Sequence, residues 1–155
     1  MATQDQITVA LLDPAAGTET AVADDLCVLV NDVYAVAEKG LWRDGMARTS
    51  PEELREMIAA GEILVAAPDQ RGLGIGRALL DEVERRSRDR GLDAVQLELL
   101  VPRQWSHPEK EFLTSWYGRR GYDLVRTTTL DGPYPHLAPL LATPCDLQIR
   151  RNALR

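Results

Sequence analysis

Pro68-Asp69-Gln70-Arg71-Gly72-Leu73-Gly74-Ile75-Gly76-Arg77 runs directly into an amphipathic segment, and its reading decides what kind of chain this is. Glycines at alternate positions remove every second Cβ, so the backbone can turn tightly and present consecutive N–H groups to an anion at the positive end of a helix. Arg71 and Arg77 bracket the turn with fixed positive charge. The stretch therefore reads as a cradle for a pyrophosphate.

Spacing separates the phosphate loops that compete for it. A Walker loop ends in Gly-Lys-Ser/Thr, whereas Gly76 is followed by Arg77. A dinucleotide fingerprint needs Gly-x-Gly-x-x-Gly, and counting from Gly72 and Gly74 puts Arg77 where its third glycine should fall. What remains is Arg71-x-x-Gly74-x-Gly76, followed by Arg77-Ala78-Leu79-Leu80. That pattern resembles the acyl-coenzyme A loop of the GNAT superfamily of N-acetyltransferases. Further on, Trp116-Tyr117-Gly118-Arg119-Arg120-Gly121-Tyr122 is similar to the family's Trp-Tyr-x-x-x-Gly-Tyr signature. The likeness covers residues 62 to 151, with coarser agreement before that.

Composition sets the frame. The chain has 155 residues, enough for one domain with a real core, and we expect residues 1–155 to form a single one. Hydrophobic residues at 45% and charged residues at 27% are globular proportions, with no repeat and no apolar run long enough to span a bilayer. The first residues carry no basic segment followed by an apolar one, so the expected location is the cytoplasm. Cys27 and Cys145 are far apart and lack metal-ligand spacing, and with only His107 and His136 beside them a metal site is not expected; both read as free thiols. A net charge of −6 opposes nucleic-acid binding and favours, weakly, a cationic amine. An apolar C-terminal segment leaves a homodimer open.

Residues 7–12 suit an opening strand. Residues 19–39 predict a helix with Val22, Leu26, Leu29, Val30, Val33 and Ala37 inward and Gly40 as its stop. Leu41 and Trp42 read as cover over the core in preference to a pocket lining. Ser50-Pro51-Glu52-Glu53 is a capping box, leading into a helix with Leu54 and Ile58 inward and Gly61 at its end. A strand follows over 62–66, then a helix over 77–90 with Leu79, Leu80 and Val83 inward. Its other face pairs Asp81 with Arg85, Glu82 with Arg86 and Glu84 with Arg88. Residues 93–101 predict a central strand, broken by Pro102, and Ser106-His107-Pro108-Glu109 a second capping box for a helix with Phe112, Leu113 and Trp116 inward. Residues 122–130 form a strand, 131–144 a proline-rich connection with a short helical turn, and 145–151 a last strand pairing with the one before.

The fold class this implies is α/β (α+β): a GNAT-like central mixed, mostly antiparallel sheet flanked by about four helices. One departure stands out. The family's usual strand 3 and 4 hairpin, two strands before the glycine loop, is missing, because Ala66 meets Ala67-Pro68 directly. An omission of roughly 25 to 35 residues, a hairpin with its turns, would account for it. A normal step of about 3.8 Å between the Cα atoms of Ala66 and Ala67 would refute that omission.

The resemblance also implies a chemistry. Arg71, Gly72, Leu73, Gly74, Ile75, Gly76 and Arg77 would hold the pyrophosphate of acetyl-CoA, the acetyl donor. Tyr117 would be the general acid that protonates the departing thiolate. Glu98, on the polar face of the 93–101 strand, is the candidate base, with His107, His136 or water as alternatives. The expected activity is transfer of an acetyl group to a primary amine of a small molecule by direct attack in a ternary complex. A non-catalytic acyl-CoA sensor and a protein N-acetyltransferase are the other readings.

Overall fold

In a computed structural model of the chain, residues 7–66 and 74–155 are described. The elements run β1 (Val9–Leu11), a 3₁₀ turn (Pro14–Thr18), α1 (Thr20–Ala37), α2 (Pro51–Ala59), β2 (Leu64–Ala66), α3 (Ile75–Asp89), β3 (Ala94–Pro102), α4 (Pro108–Arg119), β4 (Asp123–Thr128), a 3₁₀ turn (Ala138–Leu140) and β5 (Cys145–Ala153). This is the mixed α/β architecture expected, with four helices and antiparallel strand pairings among the described residues. The strands form one sheet of β1 and β2 and another in the order β3-β5-β4. Backbone contacts divide the chain into two compact units, one of residues 1–30 and 49–90 and one of residues 31–48 and 91–155. The Ala66 to Ala67 step lies outside the described residues.

In the first unit, β1 and β2 pair from Val9 opposite Ala66 to Leu11 opposite Leu64. Ser50 caps α2 by accepting a hydrogen bond from the Glu53 N–H at 3.2 Å, with Pro51 at the first helical position. The Glu53 carboxylate accepts from the Thr49 hydroxyl, so only one arm of the expected box is the standard one. Leu54 and Ile58 turn inward as predicted and form a core with Ala23, against which Leu12, Leu26 and Met57 pack. On α1 the inward stripe is narrower than its periodicity suggested: Leu29 and Val33 are exposed and Ala23 is the residue with no accessible surface. The helix is apolar on more faces than its neighbours cover, so composition alone could not choose the buried one. On α3, Leu79, Leu80 and Val83, expected inward, are only half-buried.

The second unit is built around β5, which pairs with β3 from Ala94 opposite Ala153 to Pro102 opposite Cys145, and with β4 on its other edge. The predicted central strand, β3, is thus at one side of this sheet among the described strands, and the last strand occupies the middle. Burial agrees: Cys145, Leu147, Ile149 and Arg150 of β5 are all buried, the Arg150 guanidinium donating to the Tyr122 carbonyl and to Gln148. Pro102, expected to break β3, is its final residue, where a missing N–H costs the ladder least. The core of this unit comprises Leu41, Leu100, Leu130, Cys145, Leu147 and Ile149.

Helix α4 starts one residue later than its sequence signature implies. His107 is the N-cap and makes no side-chain capping bond, while the Ser106 hydroxyl turns to Glu111. Its buried residue is Lys110, whereas Phe112, expected inward, is exposed. A buried lysine is stable only with a partner, and Lys110 has one in Glu38, described next.

Candidate functional site

The segment after α1 is where the second unit opens a cavity. Its course is set by backbone bonds to the proline-rich connection: Arg43 N–H donates to the Leu140 carbonyl at 2.9 Å and Ala142 N–H to the Leu41 carbonyl at 2.8 Å, with Trp42 bridged to Leu141. These bonds turn Leu41 fully into the core and leave Trp42 at the cavity wall. The expectation of core cover therefore holds for Leu41, while Trp42 takes both roles. The cavity holds about 180 Å³ and is lined by Asn31, Tyr34, Glu38, Trp42, Asp44 and Arg48 among others.

Glu38 organises its floor. The carboxylate is 4% exposed, accepts from Lys110 Nζ at 2.7 Å through Oε1 and from Trp42 Nε1 at 2.6 Å through Oε2. Arg48 stands 3.9 Å from Oε2 and lies over the Tyr34 and Trp42 rings, 5.0 and 5.5 Å from their centroids. Its backbone N–H donates to Asn31 Oδ1 at 2.7 Å, which fixes the residue at the wall. No sequence signal singled out Glu38, Trp42, Arg48 or Lys110 as one group, because Lys110 is 72 residues from Glu38.

Tyr117 sits on α4, half-buried, with its ring edge-on to Trp116 and Tyr122 at 5.1 and 5.9 Å. Burial raises its pKa, and the nearby Tyr34 hydroxyl adds to the shift. The group thus remains a protonated donor at neutral pH. Glu98 is on β3, exposed, and accepts from the Tyr134 hydroxyl at 2.6 Å. That bond raises the Tyr134 pKa, which Arg48 in turn lowers slightly. Tyr117, Glu98 and the cavity-lining residues therefore all belong to the second compact unit. His107 is buried with its Nδ1 unpartnered among the described residues, and His136 is exposed in the proline-rich connection.

Of the glycine loop, Arg71, Gly72 and Leu73 lie outside the described residues. Gly74 is the N-cap of α3 in the left-handed region, φ +91°, with no side chain to occupy the helix end. Its carbonyl accepts from the Ala78 N–H. The N–H groups of Ile75, Gly76 and Arg77 begin the helix and have no intrahelical acceptor. A Cβ placed on Gly74 or Gly76 would meet nothing within 4 Å among the described residues. Arg77 is exposed and 3.7 Å from Asp81. Of the three expected charge pairs on α3, Glu82–Arg86 and Glu84–Arg88 form, but Arg85 bonds Glu82 and Asp89 in place of Asp81.

Residues 34–109 match the profile of the acetyltransferase (GNAT) family. Among solved structures, a protein provisionally assigned as a phosphinothricin N-acetyltransferase aligns at a TM-score of 0.61 and 14% identity, over 97% of this chain and 99% of that one. A provisionally assigned acetyltransferase from Salmonella typhimurium, solved with its cofactor acetyl-CoA, gives 0.60 and 12% over 96% and 94%. An N-acetyltransferase from Staphylococcus aureus Mu50 gives 0.55 and 10% over 96% and 98%. No curated protein matches the chain in sequence. Among the described residues, no helix is long and apolar enough to cross a membrane.

Proposed function

With residues 34–109 matching the GNAT acetyltransferase family and the chain carrying the GNAT fold, we propose that it transfers the acetyl group of acetyl-CoA to a primary amine of a small molecule. The proposal treats residues 1–155 as one catalytic domain. The observation that carries it is the half-buried Tyr117 on α4, in the same compact unit as a cavity of about 180 Å³. That volume is below the roughly 300–1,000 Å³ of pockets for drug-sized ligands, which favours a small acceptor over a protein.

The residues fit the donor. The N–H groups of Gly74, Ile75, Gly76 and Arg77, at a helix start with no side-chain cap, would hold the pyrophosphate of acetyl-CoA with Arg71, Gly72 and Leu73, and the bound molecule supplies the thioester. Attack by the amine forms the C–N bond as the C–S bond breaks. Tyr117, kept in its protonated form because burial disfavours the phenolate, gives its proton to the departing sulfur. Glu98, held by Tyr134, receives the amine proton through water.

Attack is direct because neither described cysteine is an activated nucleophile. Cys145 is 2% exposed and its thiol is pushed up to about 11, chiefly by burial. Cys27 turns its sulfur to the Thr49 carbonyl.

The test is acetyl-CoA-dependent thiol release over a panel of amines, amino acids, phosphinothricin and aminoglycosides. Turnover should fall about 10²- to 10⁴-fold in Tyr117→Phe, the usual span for losing a general acid, with acetyl-CoA affinity unchanged. Binding of acetyl-CoA without release on any amine would identify a sensor instead.

A further inference from the structure

The charge of the cavity is opposite to that of the chain, and this bears on what the acceptor carries besides its amine. The protein has a net charge of −6. Yet the charged residues lining the cavity are Glu38, Lys39, Arg43, Asp44 and Arg48. Glu38 is neutralised by Lys110, a contact of 2.7 Å between two buried side chains. Lys39, Arg43 and Arg48 then face Asp44 alone, so a locally positive pocket has been built within an acidic protein.

Arg48 is the residue able to convert that field into recognition. Its guanidinium carbon lies over two aromatic rings, 5.0 and 5.5 Å from their centroids, and its side chain is 32% exposed. The neighbouring carboxylate is 3.9 Å away and both its oxygens are already taken at shorter distance by Lys110 and Trp42. No hydrogen bond of the guanidinium forms among the described residues. A pre-oriented fork of donors with its entropy cost largely met by stacking matches a carboxylate in two-point geometry.

We propose that the acceptor is a small amine that also bears a carboxylate, of the α-amino-acid type, and that Arg48 receives its carboxylate. The inference rests on the acetyl-transfer reading above and narrows its substrate class. The same charges serve the chemistry: cations around an ammonium favour loss of its proton, and the nucleophile must be the neutral amine. They also disfavour acceptors that carry a second positive charge, such as diamines.

The experiment compares three sets of acceptors with the acetyl-CoA-loaded protein: α-amino acids, the corresponding amides and terminal diamines. Thiol release gives kcat/KM, and calorimetry gives binding of acetyl-CoA alone and of each acid. Expected is a preference of about 10- to 100-fold for the best acid over its amide, the range for a charge-assisted hydrogen-bonded pair. Arg48→Gln should erase that preference by raising KM for the acid much more than for the amide, and Arg48→Lys should restore part of it. The acid-to-amide comparison on unaltered protein stands even if Arg48→Gln destabilises the fold. Amides or diamines used as well as the acids, or no acid binding, would overturn the inference and leave acetyl transfer standing. Failure of acetyl-CoA itself to bind would overturn both.

Discussion

Replacing Lys110 by Met should be among the most damaging single changes in this protein, although Lys110 is a charged residue on a surface helix. Lys110 and Glu38 are each 4% exposed and meet at 2.7 Å. Removing one member of such a pair strands the other in a medium that solvates charge poorly, a loss of about 3–5 kcal/mol. Here the lower end applies, since Glu38 keeps Trp42 Nε1 at 2.6 Å and has Arg48 at 3.9 Å as a partial substitute. For a chain of this length about 3 kcal/mol corresponds to a fall in Tm of roughly 6–12 °C.

The assay is urea denaturation of four proteins: the natural chain, Lys110→Met, Glu38→Gln and the double variant. Gln retains an oxygen for the Trp42 indole, so the double variant loses the charges without stranding that donor. It should recover most of the loss, giving a coupling of about 2 kcal/mol or more, because a neutral pair of similar volume is often tolerated where a lone charge is not. Single variants within about 0.5 kcal/mol of the natural chain, the usual range for surface changes, or strictly additive losses, would refute the reasoning. They would mean that water reaches the pair and that the cavity floor is softer than its geometry implies.

Other outcomes follow from the same structure. Ser50→Ala removes the acceptor of the Glu53 N–H and should cost about 1 kcal/mol in denaturant, the usual value of an N-cap, with thiol release unaffected. Gly121→Ala puts a Cβ 3.0 Å from Asn152 Oδ1 at φ +89°, and should lower stability by at least the roughly 1 kcal/mol of a left-handed non-glycine residue; an unchanged midpoint would show that β5 yields freely. Cys145 should resist disulfide reagents at pH 8 until the protein unfolds, while Cys27 reacts first. Because its folded pKa is raised from 9.0 to about 11, its contribution to stability is complete below pH 9 and is lost as pH rises toward 11. Glu82 has the reverse sign: Arg85 and Arg86 lower it from 4.5 to about 2, so the stability it lends is present above pH 4.5 and disappears as pH falls toward 2. Acid titration of the Glu82→Gln variant should show a shallower decline in that window.

The sequence by itself determined the elements whose signals are local. Ser50-Pro51 placed the start of α2, Gly61 and Gly91 marked helix stops where φ is positive, and alternation along 93–101 marked β3, because capping, handedness and pleat act over a few residues. The glycine loop and the Trp-Tyr signature pointed to the GNAT fold, and Tyr117 and Glu98 were found on the elements foreseen for them. The tertiary structure alone decided that β5 enters between β3 and β4, that Phe112 is outside while Lys110 is inside, and that Glu38, Trp42 and Arg48 enclose a cationic cavity. These depend on pairings across 72 residues and on which of several apolar faces finds a neighbour. Burial energy decides such choices, and it is a property of the assembled chain, with no counterpart in any short window of it.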